Sequence, residues 1–161
     1  MDWTIRPAKT EDAAEIAAIS NALIRNTLIT FTTDEKAPAQ IARTIAEQGD
    51  RFIIGVRGDQ ILGFAHYFPF RSGPGYRHTQ ELTIHLGPAA RRQGLGRALM
   101  ARLEEIARAD GVHVLISGIS SANPDAVTFH AAQGFEKVGH LPEVGRKQDQ
   151  WLDLILMQKR L

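Results

Sequence analysis

Arg91, Arg92, Gln93, Gly94, Leu95, Gly96 and Arg97 combine positive charge with backbone freedom in one short run. Where a helix begins, its first amide N–H groups lack an intrahelical acceptor and its dipole favours negative charge, so such a run can cradle a pyrophosphate. Gly94 and Gly96 would let the main chain approach phosphate oxygens, while Arg91, Arg92 and Arg97 surround the anion. Taken alone, a glycine pair entering a helix also fits an ordinary loop with solvated arginines. Two other phosphate-binding patterns fail. The third glycine of a dinucleotide fingerprint would fall at Leu99, and no Gly-x-x-x-x-Gly-Lys-Ser/Thr stretch occurs.

Glu81 is the second candidate. From Thr79 to Leu86 the apolar Leu82, Ile84 and Leu86 alternate with Glu81, Thr83 and His85, the period of a strand with one face packed and one facing a cleft. A carboxylate in that cleft can serve an amine, because a protonated ammonium has no lone pair and must lose its proton before attacking a carbonyl carbon. A solvated or ion-paired strand carboxylate gives the same pattern. Arg71 or Arg77, in and beside the loop from Pro69 to Gly75, could hold a substrate carboxylate through paired hydrogen bonds, or could simply be solvated. The chain has no cysteine, which removes disulfides, thiol nucleophiles and thiolate metal sites. Its six histidines form no close ligand pair, and neither a His-Glu-x-x-His helix nor a serine hydrolase elbow occurs, so no metal is expected.

The elements that must position these residues follow from periodicity. Trp3 to Arg6 reads as an extended segment, and Thr10 as the cap of a helix that buries Ile16 and Ile19. A second helix starts near Pro38 with Ile41 and Ile45 on one face, after a loop from Thr27 to Lys36 that contains Phe31. Phe52 to Val56 and Ile61 to Tyr67 form an antiparallel hairpin. The strand Thr79 to Leu86 leads through the glycine run into a helix with Leu95, Leu99, Leu103 and Ile106 on its buried side, ended by Gly111. A strand at Val112 to Ser117 follows, then a short helix opened by Asn123 and Pro124 and closed by Gly134. Two further strands lie near Phe135 to Val138 and Trp151 to Met157.

Composition limits the partners. The 161 residues suit one domain, 1–161. A net charge of +1, from 19 basic and 18 acidic side chains, gives no field that would draw the protein to nucleic acid or an anionic membrane. No apolar run approaches membrane-spanning length and no signal core precedes Arg6, so a cytoplasmic location is expected.

Together these residues resemble the GNAT superfamily of acetyltransferases, whose signature of Arg/Gln, two residues, Gly, one residue, Gly/Ala is matched by Arg91, Gly94 and Gly96. More narrowly the chain is similar to the phosphinothricin and methionine sulfoximine N-acetyltransferases. That likeness runs through Gly75-Tyr76-Arg77-His78-Thr79, Glu81, Arg91 to Gly96, His113, Gly134-Phe135, Val144-Gly145-Arg146-Lys147 and Trp151-Leu152-Asp153. The resemblance implies an α/β (α+β) fold, a mixed, mostly antiparallel twisted sheet of about seven strands flanked by about four helices. It implies acetyl-CoA as cosubstrate and a small-molecule primary amine as acceptor.

The resemblance also carries over site residues. Ile84, His85 and Leu86 would contact the pantetheine arm, Arg91, Arg92, Gln93, Gly94, Leu95, Gly96 and Arg97 the pyrophosphate, and Asn123 the cofactor arm, unless Asn123 is only a helix cap. Glu81 would be the general base, directly or through water, and Arg71, Ser72, Gly73, Glu81, Leu82 and Thr83 would surround the acceptor. Backbone amides near Ile84 to Leu86 could stabilise an oxyanion. His130 stands where many relatives have a tyrosine that protonates the leaving thiolate, and it could equally pack the short helix. Leu82 stands where some relatives have histidine, which leaves any Glu-His pairing without a partner. Phe31 and Tyr76 could bound the pocket or serve as core or dimer contacts. A homodimer is implied, with Phe68, Phe70 and Trp151 as interface candidates. A peptide or protein acetyltransferase, or a non-catalytic acyl-CoA sensor, are the alternatives.

Overall fold

A computed structural model describes residues 2–161 and has a seven-stranded sheet as its frame. The strands are β1 (Thr4–Pro7), β2 (Ile53–Arg57), β3 (Gln60–Pro69), β4 (Thr79–Leu86), β5 (Val114–Ser120), β6 (Glu136–Lys147) and β7 (Gln150–Arg160), in the spatial order β1-β2-β3-β4-β5-β7-β6. Every neighbouring pair is antiparallel except β4 and β5. The helices are α1 (Ala13–Asn26), α2 (Pro38–Gln48), α3 (Leu95–Ala109) and α4 (Pro124–Ala132). The mixed, mostly antiparallel sheet with four helices is therefore as expected.

Strand alternation divides the core between the two faces of the sheet. Phe52, Ile54, Val56, Ile61 and Phe64 pack under α1 and α2, against Ile16, Ala17, Ile41 and Ile45. Ile53, Leu62, Tyr67, Leu82 and Leu115 pack on the other face under α3, against Leu95, Leu99, Met100 and Leu103. Leu95, Leu99 and Leu103 are wholly buried, and each such side chain contributes roughly 1.5–3 kcal/mol from leaving water. That burial locks the start of α3 against the end of β4.

Three local expectations need correction. Thr10 does not cap the first helix. A 3₁₀ turn covers Thr10–Asp12, and the Asp12 carboxylate, gripped by Arg6 at 2.8 and 3.0 Å, accepts the Lys9 amide at 2.7 Å. The strand expected from Val112 begins only at Val114, because the Val112 amide closes the end of α3 on Ala107 O. The strand expected to stop at Val138 runs on to Lys147. Its register shifts between Leu141 and Gly145, where Pro142 is tolerated at a sheet edge and Glu143 has φ of 55°.

Candidate active site

The site begins where the sheet comes apart. The parallel strands β4 and β5 are paired only through Thr79–Val114, Gln80–Leu115 and Glu81–Ile116. Beyond Glu81 they diverge, and the β5-facing backbone groups of the rest of β4 have no strand partner. Unpaired strand backbone is a ready template for an extended ligand that carries amides of its own. A cavity of about 410 Å³ opens in the wedge, walled by Glu81 to His85 on β4, Ser117 to Ser120 on β5, and Asn123, Ala126 and His130 around α4. Ile29, Thr30, Phe31 and Thr32, from the segment between α1 and α2, cover it.

Glu81 carries the only carboxylate among the described residues that wall this cavity. It is half-buried and makes no hydrogen bond or ion pair among the described residues. Desolvation pushes its pKa up from 4.5, and the positive charge of Arg71 partly opposes that shift. Gly118 on β5 lies beside it: a Cβ there would stand in ordinary contact with Glu81 Oε2 at 3.8 Å and would crowd Leu154 at 3.3 Å. His85, on the same face of β4, lies edge-on to Phe64. Burial, with Lys36 nearby, drops its pKa to about 4, so it is neutral at pH 7.

His130 is buried, with Nδ1 2.7 Å from Ala126 O and its ring edge-on to Phe129 and Phe135. A carbonyl oxygen only accepts, so this geometry assigns the proton to Nδ1 and leaves Nε2 with a lone pair. Nε2 has no partner among the described residues. Burial lowers the pKa, with the Ala126 bond opposing, so the neutral ring has no Nε2 proton to give. The arrangement suits packing of α4.

At the cofactor end, the first amide of α3 to find a backbone acceptor is that of Ala98, which donates to Gly94 O at 3.1 Å. The amides of Gly94, Leu95, Gly96 and Arg97 have no acceptor among the described residues. Gly94 has φ of 79°, and a Cβ on it would meet nothing within 4 Å among the described residues, so it leaves the approach open. Gly96 does something else: a Cβ there would lie 3.4 Å from Leu86 and 3.5 Å from Phe129, so this glycine lets α3 close on β4 and α4. The exposed Arg91, Arg92 and Arg97 surround the amides. This donor set fits a diphosphate such as that of coenzyme A.

Gln93 has other work. Its carbonyl accepts from Trp3 Nε1 at 3.2 Å, its Nε2 donates to Ala89 O at 2.9 Å, and its Oε1 accepts from Arg57. Those bonds stiffen the loop and turn the Gln93 side chain toward Ala89 and Arg57. Asn123 caps α4, its Oδ1 accepting the Ala126 amide at 3.3 Å, and also faces the cavity.

The acceptor residues separate. Leu82 and Thr83 wall the cavity with Glu81, and Arg71, stacked 4.8 Å over Phe70, is near enough for its charge to act on Glu81. Ser72 and Gly73 are exposed on the loop after β3 and do not wall the cavity. Arg77 donates instead to His78 Nε2 at 3.1 Å. The structure adds Thr30, Ser117, Gly118, Ser120 and Leu154, which sequence reasoning missed. Gly118, lone within a β-rich run, was the available signal of a close approach.

Residues 16–135 match the acetyltransferase (GNAT) family. Over 98% of this chain and 94% of the relative, the sequence is 34% identical to an L-methionine sulfoximine/L-methionine sulfone acetyltransferase of Salmonella typhimurium. The structure superposes on a ribosomal-protein-alanine N-acetyltransferase from Brucella melitensis with a TM-score of 0.93, at 37% identity, covering 98% of this chain and 99% of that one. It superposes equally, with a TM-score of 0.93, on a GNAT phosphinothricin acetyltransferase from Sinorhizobium meliloti in complex with acetyl-CoA, at 29% identity over 100% of this chain and 89% of that one. No described group of three or more His, Asp or Glu residues could hold a metal. Open amides at the start of α3, a parted β4–β5 pair and full-length similarity agree: the chain belongs to the acetyltransferase (GNAT) family, which draws its acetyl group from acetyl-CoA.

Proposed function

We propose that the protein acetylates the primary amine of a small amino-acid-like acceptor, of the methionine sulfoximine, methionine sulfone or phosphinothricin type, with Glu81 as general base. The observation that carries this is a lone, half-buried carboxylate on β4 at the point where the strands part. Acetyl-CoA supplies an activated thioester. The open amides from Gly94 to Arg97 would hold its diphosphate, and the unpaired edge of β4 its pantetheine arm. Glu81 takes the proton from the acceptor ammonium, directly or through water, and desolvation makes it a stronger base than a surface glutamate. Arg71 offers a bidentate partner to the acceptor carboxylate. An amide of Ile84 to Leu86 would stabilise negative charge on the acyl oxygen.

The segment over the cavity favours a small acceptor, because a peptide needs an open groove. The Brucella likeness keeps the peptide reading specific enough to test. Purified protein with acetyl-CoA should release thiol on free amino acids of the named type, and should be inactive on peptides beginning with alanine. Turnover on the peptides alone would replace the proposal. We further propose a cytoplasmic homodimer. Exposed Val138, Leu141, Val144 and Trp151 on β6 and β7 supply an apolar edge suited to a second copy.

A further inference from the structure

The ceiling of the cavity is held by one residue of its wall, Ser120, and by two outside it, Gly145 and Lys147. Ile29 to Thr32 belong to a stretch with neither helix nor strand, between α1 and α2. Ser120 Oγ donates to Leu28 O at 2.7 Å. Lys147, at the end of β6 and only 4% exposed, donates from Nζ to Thr30 O at 3.0 Å and to Thr30 Oγ1 at 2.9 Å. Phe31 lies against Gly145: a Cβ at that glycine would come within 2.7 Å of the ring carbons Cδ2 and Cε2.

These contacts are unusual in kind. A buried ammonium ordinarily has a carboxylate partner, because desolvating an unpaired charge is costly. The hydrogen-bond partners of Lys147 among the described residues are two neutral oxygens of one threonine, and burial pushes its pKa down. What the two bonds fix in the structure is the position of Thr30. Gly145 is a matching case in packing. Its missing side chain is the space that Phe31 occupies, and any Cβ would drive the ring away from β6 and toward the cavity that it covers.

We propose that Gly145 and Lys147 are positioning residues that set the height of the acceptor ceiling, and so decide which acceptor side chains fit beneath Phe31 and Thr30. This rests on the part of the cavity between Glu81 and Phe31 being the acceptor site, with the pantetheine arm along Ile84 to Leu86 as proposed above. Gly145→Ala lowers the ceiling and selects against bulky acceptors. Lys147→Met releases Thr30 and weakens acceptor binding whatever the side chain. Neither residue touches the cradle at the start of α3, so binding of acetyl-CoA is left alone.

Steady-state kinetics across amino acids of graded side-chain size tests this, with KM measured separately for acceptor and acetyl-CoA. In Gly145→Ala, kcat/KM for the bulkiest accepted substrate should fall about tenfold or more relative to the smallest. Lys147→Met should raise acceptor KM about tenfold at every size, with KM for acetyl-CoA unchanged. Phe31→Ala removes the ring that Gly145→Ala would strike, so Phe31→Ala and Phe31→Ala/Gly145→Ala should share one size profile. That pair keeps the test decisive if Gly145→Ala alone fails to fold. An unchanged size ratio in Gly145→Ala, or a uniform loss for all acceptors, would overturn the proposal and leave the assigned activity standing. A wild-type protein inactive on every amine of the panel, yet active on peptides, would remove the reading of the cavity instead.

Discussion

Glu81, the proposed general base, is a single carboxylate whose surroundings push its pKa up. Glu81→Gln should keep acetyl-CoA binding and lower turnover by about 10²- to 10⁴-fold near neutral pH. The same shift affects stability. A pKa raised in the folded state means that folding disfavours the charge, so the wild type loses stability as pH rises past 4.5 and through the folded value. Glutamine cannot ionise. The variant should therefore melt above the wild type at pH 7, and the gap should close below pH 4.5; a constant gap across pH would show that Glu81 bears no desolvation penalty. Alternation along β4 was enough to place Glu81 in the sequence. Its lack of a partner was not legible, because the residues that face it across the cavity come from β5 and from the segment between α1 and α2, remote along the chain. The bonds of Gln93 were not legible for the same reason: Trp3 and Arg57, which meet it, are distant along the chain.

Among the elements, the N-terminus of α3 shows how one residue type serves two ends. Gly94 keeps a left-handed backbone at the cap, whereas Gly96 permits close packing. Gly94→Val must either strain at φ of 79° or rebuild the loop, at a cost of about 1–2 kcal/mol, and its side chain would stand in the diphosphate approach. Calorimetry should find acetyl-CoA affinity down by about tenfold or more, with α3 still formed by circular dichroism. Equal affinity would move the cradle elsewhere. Helices were the most legible elements, since Pro38, Gly111 and the leucine stripe of α3 mark ends and faces locally. The second half of β6 was not legible. Pro142 and Glu143 break its alternation, and only pairing with β7 restores the strand.

Across the whole molecule, the face under α1 and α2 carries two histidines that folding keeps neutral. His66 stacks on Phe52 at 4.5 Å and has Nδ1 3.0 Å from Gln48 Oε1; its pKa is lowered to about 3 by burial, with His85 and Lys36 adding to the effect. His85 is lowered to about 4. A depressed histidine pKa gives stability that is complete above 6.5 and is lost as pH falls through the folded value. The urea midpoint should therefore decline from pH 6.5 toward pH 4, and His66→Phe, which keeps the stack, should flatten that decline. An equally steep loss in the variant would exclude His66 as a source. Periodicity anticipated the number and kind of elements, but it could not order the strands, because nothing local says that β7 inserts between β5 and β6.

Only three residue pairs join β4 to β5, so the sheet consists of two panels, β1–β4 and β5–β7–β6, fastened along a short seam at one end. Whatever fills the wedge acts as mortar between the panels, reaching backbone on one side and side chains on the other. On the proposed placing of the acetyl donor in that wedge, loading it also ties the panel that carries Glu81 to the panel whose Lys147 and Gly145 already hold the roof.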